Sequence, residues 1–125
     1  MFRTAFAALF ATCQALAPAL AADLTGRWTL TTLDGTAVAF TATLDLSDPG
    51  KLTGKAPCNS YFGKLRIKGD AFTPGPILAT RMACDGLANE NRYLQALQMV
   101  DTAALAGDRL TLTGDQVLTF SRAAD

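Results

Sequence analysis

The sequence predicts a small, mainly β (α+β) domain: a curved antiparallel sheet or partly open β-barrel of about seven or eight short strands, with one amphipathic helix packed on it. Three observations predict it. Apolar and polar residues alternate with period two through most of the chain. The alternating runs are short and are separated by Asp-Gly, Gly-Asp or Pro-Gly turns. One segment, near residues 85–100, changes to spacings of three and four.

The first 21 residues are unlike the rest. They carry one charge, Arg3, then an apolar run from Ala5 to Leu20, and they close on Ala19-Leu20-Ala21. A charged start, a short apolar middle and an Ala-x-Ala end are the parts of a secretory signal peptide, cleaved after Ala21 to leave a domain over residues 22–125. Gln14 and Pro18 interrupt a run already short for a span of about 20 residues, so no stable membrane span is expected after cleavage. The expected location is the periplasm or outside the cell. The competing version is a lipoprotein anchored through Cys13, against which Thr12 stands where a small residue is expected.

Residues 25–33 place Trp28 and Leu30 on one side and Arg27, Thr29 and Thr31 on the other, as in a half-buried strand with Trp28 as its core anchor. Asp34-Gly35 marks a turn. Val38 to Leu46 then alternates, with Val38, Phe40, Ala42, Leu44 and Leu46 facing inward. Ser47-Asp48-Pro49-Gly50 reverses the chain into a short strand, Lys51 to Lys55, and a longer one follows from Tyr61 to Lys68. There Tyr61, Gly63, Leu65 and Ile67 share the buried face. Lys64, Arg66 and Lys68 share the other, which reads as a solvated strand face, the functional alternative being reception of an anionic partner or lipid headgroup. Gly69-Asp70 turns into Ala71-Phe72-Thr73, Pro74-Gly75-Pro76 forces a bend, and Ile77 to Thr80 resumes an extended path.

From Asp85 to Val100, Leu94, Leu97 and Val100 recur at helical spacing with Tyr93 and Leu87 beside them. Asp85 or Asn89 is the expected cap, and the carboxylates of Asp85 and Glu90 suit the positive end of the helix dipole. Two strands finish the domain, Arg109 to Thr113 and Gln116 to Ser121. Gly107-Asp108 and Gly114-Asp115 are read as tight turns with glycine first.

Lys and Arg number 11, Asp and Glu 11, and His is absent. Loss of Arg3 with the leader leaves ten cations against eleven acids, a net charge of −1 on a single small domain. That balance supplies no electrostatic ground for binding nucleic acid, whose phosphates require a basic face. Of three cysteines, Cys58 and Cys84 remain after the leader is removed, and in a small exported domain they read as a disulfide. Closing that loop contributes roughly 3 kcal/mol in the chain-entropy model.

No metal is expected, since zinc takes about four ligands and histidine is missing. No cofactor is expected, since no Gly-rich phosphate loop precedes a helix. No catalytic residue is expected either. Ser60 lacks a general base and reads as a turn residue, and Asp85, Glu90 and Arg81 are the one charged constellation near the cysteines. Asn59 and Arg81 adjoin the two cysteines, so the bridge brings them together. They either satisfy loop carbonyls or form a polar recognition patch.

The motifs around the cysteines carry a resemblance. Gly26-Arg27-Trp28, Cys58-Asn59-Ser60-Tyr61-Phe62-Gly63, Thr80-Arg81-Met82-Ala83-Cys84, Glu90 with Tyr93-Leu94 and Ala96-Leu97, then Leu110-Thr111-Leu112 and Leu118-Thr119-Phe120 follow in that order. By these the chain resembles the META/HslJ-like family of small exported bacterial envelope proteins. The resemblance implies a β-rich, barrel-like fold and no established enzymatic activity. The expected function is a non-enzymatic envelope domain, monomeric, that binds a partner protein or small apolar ligand in envelope maintenance or stress tolerance. The alternative is a periplasmic protease inhibitor of the small disulfide-bearing β-barrel type.

Overall fold

The computed structural model describes residues 24–123 and a two-residue strand, β1 (Ala17–Pro18). The other residues of the N-terminal segment read as a leader, with the expected cleavage site and Cys13, lie outside the described residues. The domain continues as β2 (Arg27–Leu33), β3 (Thr36–Ala37), β4 (Thr43–Asp45), β5 (Lys51–Lys55), β6 (Ser60–Lys68), β7 (Ala71–Pro74) and β8 (Leu78–Ala79). Helix α1 (Leu87–Gln98) follows, then β9 (Val100–Ala106), β10 (Arg109–Gly114) and β11 (Val117–Arg122).

Adjacent strands run β9-β10-β11-β2-β4-β5-β6-β7, and β7 returns to β9 by pairing Ala71 with Thr102. Eight antiparallel strands thus close a barrel, which leaves no long free edge. Strands β3 and β8 are short additions to β2 and β6, and β1 pairs with Ala104 and Leu105 of β9. Among the described residues the expected mainly β fold with one helix is the observed one, and the barrel is closed rather than partly open.

The interior is filled by large side chains. Trp28, Tyr61, Phe72, Tyr93 and Phe120 are all at most 1% exposed, and leucines from β2, β4, β5, β10 and β11 pack between them. Each such burial contributes about 1.5–3 kcal/mol before conformational entropy is set against it. Indole Nε1 of Trp28 donates to the carbonyl of Leu24 at 2.9 Å, and the Arg122 guanidinium lies 4.2 Å above the Trp28 ring.

Four details differ from the sequence reading. Val38 to Leu46 is not one strand: Thr32 opposes Ala37 while Trp28 opposes Leu44, so the register slips by three residues and the chain bulges between β3 and β4. The inward face survives the bulge, with Ala42, Leu44 and Leu46 buried. The helix ends at Gln98, and Val100 is instead the first residue of β9. Strand β9 itself was not foreseen, because Val-Asp-Thr-Ala-Ala-Leu-Ala is rich in alanine and poor in strand formers.

Gly114 is the fourth. It is not a turn residue but the last residue of β10, and a Cβ there would sit 2.0 Å from the Met99 carbonyl oxygen. Only glycine lets β10 pass beneath the junction of α1 and β9. Gly114→Val is therefore expected to lower the unfolding free energy by about 1–3 kcal/mol through forced backbone displacement, read from urea midpoints.

Candidate functional site: a braced loop beside the disulfide

Cys58 precedes β6 and Cys84 precedes α1, and a disulfide joins them with Cα atoms 5.7 Å apart. The bridge brings the segment before β6 against the loop that leads from β8 into α1. Its neighbour Glu90 is 2% exposed. The carboxylate accepts the backbone N–H groups of Cys58 at 2.9 Å and Asn59 at 2.7 Å through Oε1, and the Asn59 amide Nδ2 at 2.6 Å through Oε2. Three N–H donors on one buried carboxylate make a strong, directional clamp.

Glu90 was expected to complement the helix dipole, and it does lie in the first turn. The larger role is the clamp, and the pattern held a signal for it: Glu90, Tyr93 and Leu97 fall on one helical stripe, so the acid faces the core. Asp85 and Asn89 do not cap. The N-cap is Gly86, without a side-chain cap, and Leu87 is 37% exposed rather than packed. Leu94 is only half-buried.

Asn59 is 5% exposed. Its Oδ1 accepts from the Met82 backbone N–H at 2.6 Å and the Thr80 hydroxyl at 2.9 Å, while Nδ2 donates to the Met82 carbonyl at 3.0 Å. One amide side chain thus holds both backbone groups of Met82. The effect is to present its side chain, which is 68% exposed, on a loop fixed at Cys84 by the disulfide.

Of the two residues read as a recognition patch, Asn59 braces from below and Arg81 is exposed on the loop. Met82, not singled out in the sequence, is the presented residue. Phe62, Leu78, Met82, Leu87 and Leu94 line a shallow groove of about 740 Å³ beside it. Four of these are the exposed large apolar side chains of this end, with Phe62 directly opposite Leu78. Ser60 is a strand residue rather than a turn residue, its backbone paired with Thr80.

Deeper in the core, the hydroxyls of Tyr61 and Tyr93 are 2.6 Å apart and Tyr61 donates to the Thr43 carbonyl. Burial pushes both phenols above the ordinary tyrosine range, the proximity of Tyr93 adding to the effect at Tyr61. A Cβ on Gly54 would lie 2.1 Å from the Thr43 carbonyl oxygen, so glycine is required where this pair meets β5. Among the described residues no cluster of three or more metal-ligating side chains occurs, and no helix is long and apolar enough to cross a membrane.

The META domain family model matches residues 22–125, the whole domain. The chain belongs to the META domain family. Among solved structures, this META domain is similar to a protein from Burkholderia xenovorans determined by NMR, with 30% identity, a TM-score of 0.73, and coverage of 88% of this chain and 90% of that one. A second NMR structure, 20% identical, shares the fold with a TM-score of 0.68 over 82% of this chain and 94% of its own. So does a DUF4847 family protein from Bacteroides vulgatus, 12% identical, with a TM-score of 0.65 over 81% and 94%. No curated protein matches the chain.

Two measurements test the core of this site. Glu90→Gln is expected to lower the unfolding free energy by about 2–4 kcal/mol in urea denaturation, because an amide cannot accept from donors at both of its ends. The chain's two tyrosines are Tyr61 and Tyr93, so phenolate absorbance reads this pair alone. Their folded-state pKa values are raised, so their contribution to stability is intact below about pH 10, the unfolded value, and is lost as pH rises beyond it. Phenolate absorbance should therefore appear only with cooperative unfolding above that pH, and gradual titration of folded protein near pH 10 would contradict the buried pair.

Proposed function

We propose that this META domain is a non-enzymatic exported domain that binds a partner protein through the loop presenting Met82. The observation that carries the reading is the bracing of Met82 by Asn59, with the disulfide holding the loop's far end. A loop already held in one conformation loses little entropy on binding, so its contacts convert efficiently into affinity. Exposed Met82 and Leu87 supply the apolar centre of such an interface, and Arg81 a polar contact at its rim.

The reading places the protein in the periplasm or outside the cell. The leader-like segment supports this, as does a disulfide, which persists in oxidising compartments. The family match also begins at residue 22, where cleavage after Ala21 puts the mature terminus. A protein partner is preferred to a small apolar ligand because aromatic rings fill the barrel interior. A role in envelope maintenance or stress tolerance follows from the resemblance to the META/HslJ-like family.

The braced loop also favours a second reading, a protease inhibitor, since a segment held rigid from within fits a cleft without relaxing into the cleavable geometry. Met82→Asp decides between loop-mediated function and none. Immobilised wild-type protein is expected to retain an envelope species that the variant, equally stable, fails to retain; identical retention by both removes the loop from the function. In the inhibitor version, wild type slows an exported protease of apolar specificity at micromolar concentration, the variant does not, and inactivity against a broad protease panel discards that version.

A further inference from the structure

The near-neutral chain distributes its charge unevenly. On the outward face of β5 and β6 lie Lys51, Lys55, Lys64, Arg66 and Lys68, all exposed. The outward positions between them are Thr53, Ser60 and Phe62, so the face carries no acid of its own. The nearest acids are elsewhere engaged or peripheral. Asp45 of β4, opposite Thr53, pairs with Arg27 at 3.5 Å, and Asp48 and Asp70 lie in the turns at the strand ends. The two ion pairs among the described residues use Arg27 and Arg122, and neither uses any of these five cations.

Two further features argue against an ordinary solvated face. The sheet register sets Lys51 directly opposite Lys64, and like charges facing across strands destabilise a sheet. On the same outward face, Phe62 is 52% exposed and lies opposite Leu78 of β8, which is 57% exposed. Cations around two solvent-facing apolar side chains are the chemistry of a peripheral membrane contact. Headgroup phosphates neutralise the cations while the apolar tips enter the headgroup and acyl boundary.

We infer that the outer face of β5 and β6 docks on the surface of an anionic lipid bilayer, with Phe62 and Leu78 as the inserting side chains. A single-stranded nucleic acid fits the face less well, since its bases stack on successive aromatic rings and this face has one. The inference goes beyond the Met82 loop, and it gives the domain an orientation in which that loop sits at the edge of the lipid contact.

The test is co-sedimentation of the purified oxidised protein with vesicles of equal parts phosphatidylglycerol and phosphatidylcholine, against vesicles of phosphatidylcholine alone. Binding to the anionic vesicles only is expected, weakening steeply as salt rises from about 0.1 to 0.5 M. Lys64→Glu with Arg66→Glu should reduce affinity at least tenfold, at about fivefold per cation removed. Phe62→Ser should weaken binding with the charges intact. All three side chains are exposed, and an unchanged thermal midpoint confirms the fold. Met82→Ser, which adds no charge, should leave vesicle binding within twofold, which separates this surface from the loop. Absence of binding to anionic vesicles at low salt overturns the inference, as does equal binding by the charge-reversed variant. Preference for a single-stranded oligonucleotide or an acidic protein over vesicles overturns it too.

Discussion

The buried carboxylate of Glu90 is the interaction on which the arrangement of this domain depends. It issues from the first turn of α1 and accepts N–H groups from Cys58 and Asn59, so the helix, the disulfide and the entry to β6 are held as one unit. A carboxylate out of water is costly unless it is hydrogen-bonded, and here three N–H donors meet it. The consequence spreads to Asn59. With Nδ2 shared between Glu90 and the Met82 carbonyl, and Oδ1 between Met82 and Thr80, the amide is positioned to brace the loop. Rigidity of the surface loop is thus inherited from a polar cluster beneath it.

The barrel supplies the platform. Its closure between β7 and β9 rests on the Ala71–Thr102 pairing and the Ala103 N–H to Asp70 carbonyl hydrogen bond at 2.9 Å. The helix completes the core by inserting Tyr93 between Tyr61 and Phe120, with ring centroids 5.7 and 6.5 Å away in edge-to-face geometry. The tyrosine hydroxyls bond to each other and to the Thr43 carbonyl, which satisfies polar atoms that would otherwise be orphaned in an apolar interior. The exposed apolar and cationic side chains accordingly lie outside the barrel, on the loop and the outer strand faces.

Much of the fold was legible because its signals are local. Alternation located β2, β5, β6, β7, β10 and β11 to within a residue or two, since a strand with one buried face must place apolar residues at every second position. Strand β9 escaped because alanine carries little strand preference, and its identity comes from neighbours on both sides, β10 and β7. The helix was found but overextended, because Val100 continues the apolar spacing although its backbone has already turned into β9. Of the site, the bridge and the proximity of Asn59 to the loop of Arg81 were readable. Met82 was not, since an exposed methionine in sequence looks like a buried one.

By itself the sequence determined the mainly β class, the inward faces of most strands, the single helix and the cysteine pair. Periodicity, turn chemistry and cysteine count act over a few residues or do not depend on geometry at all. Only the tertiary structure decided that Asn59 grips the backbone of a residue 23 positions away, that Glu90 closes on the disulfide, and that Lys51 faces Lys64. Those relations are set by strand register and barrel closure, which arise from long-range pairing, so no local pattern contains them.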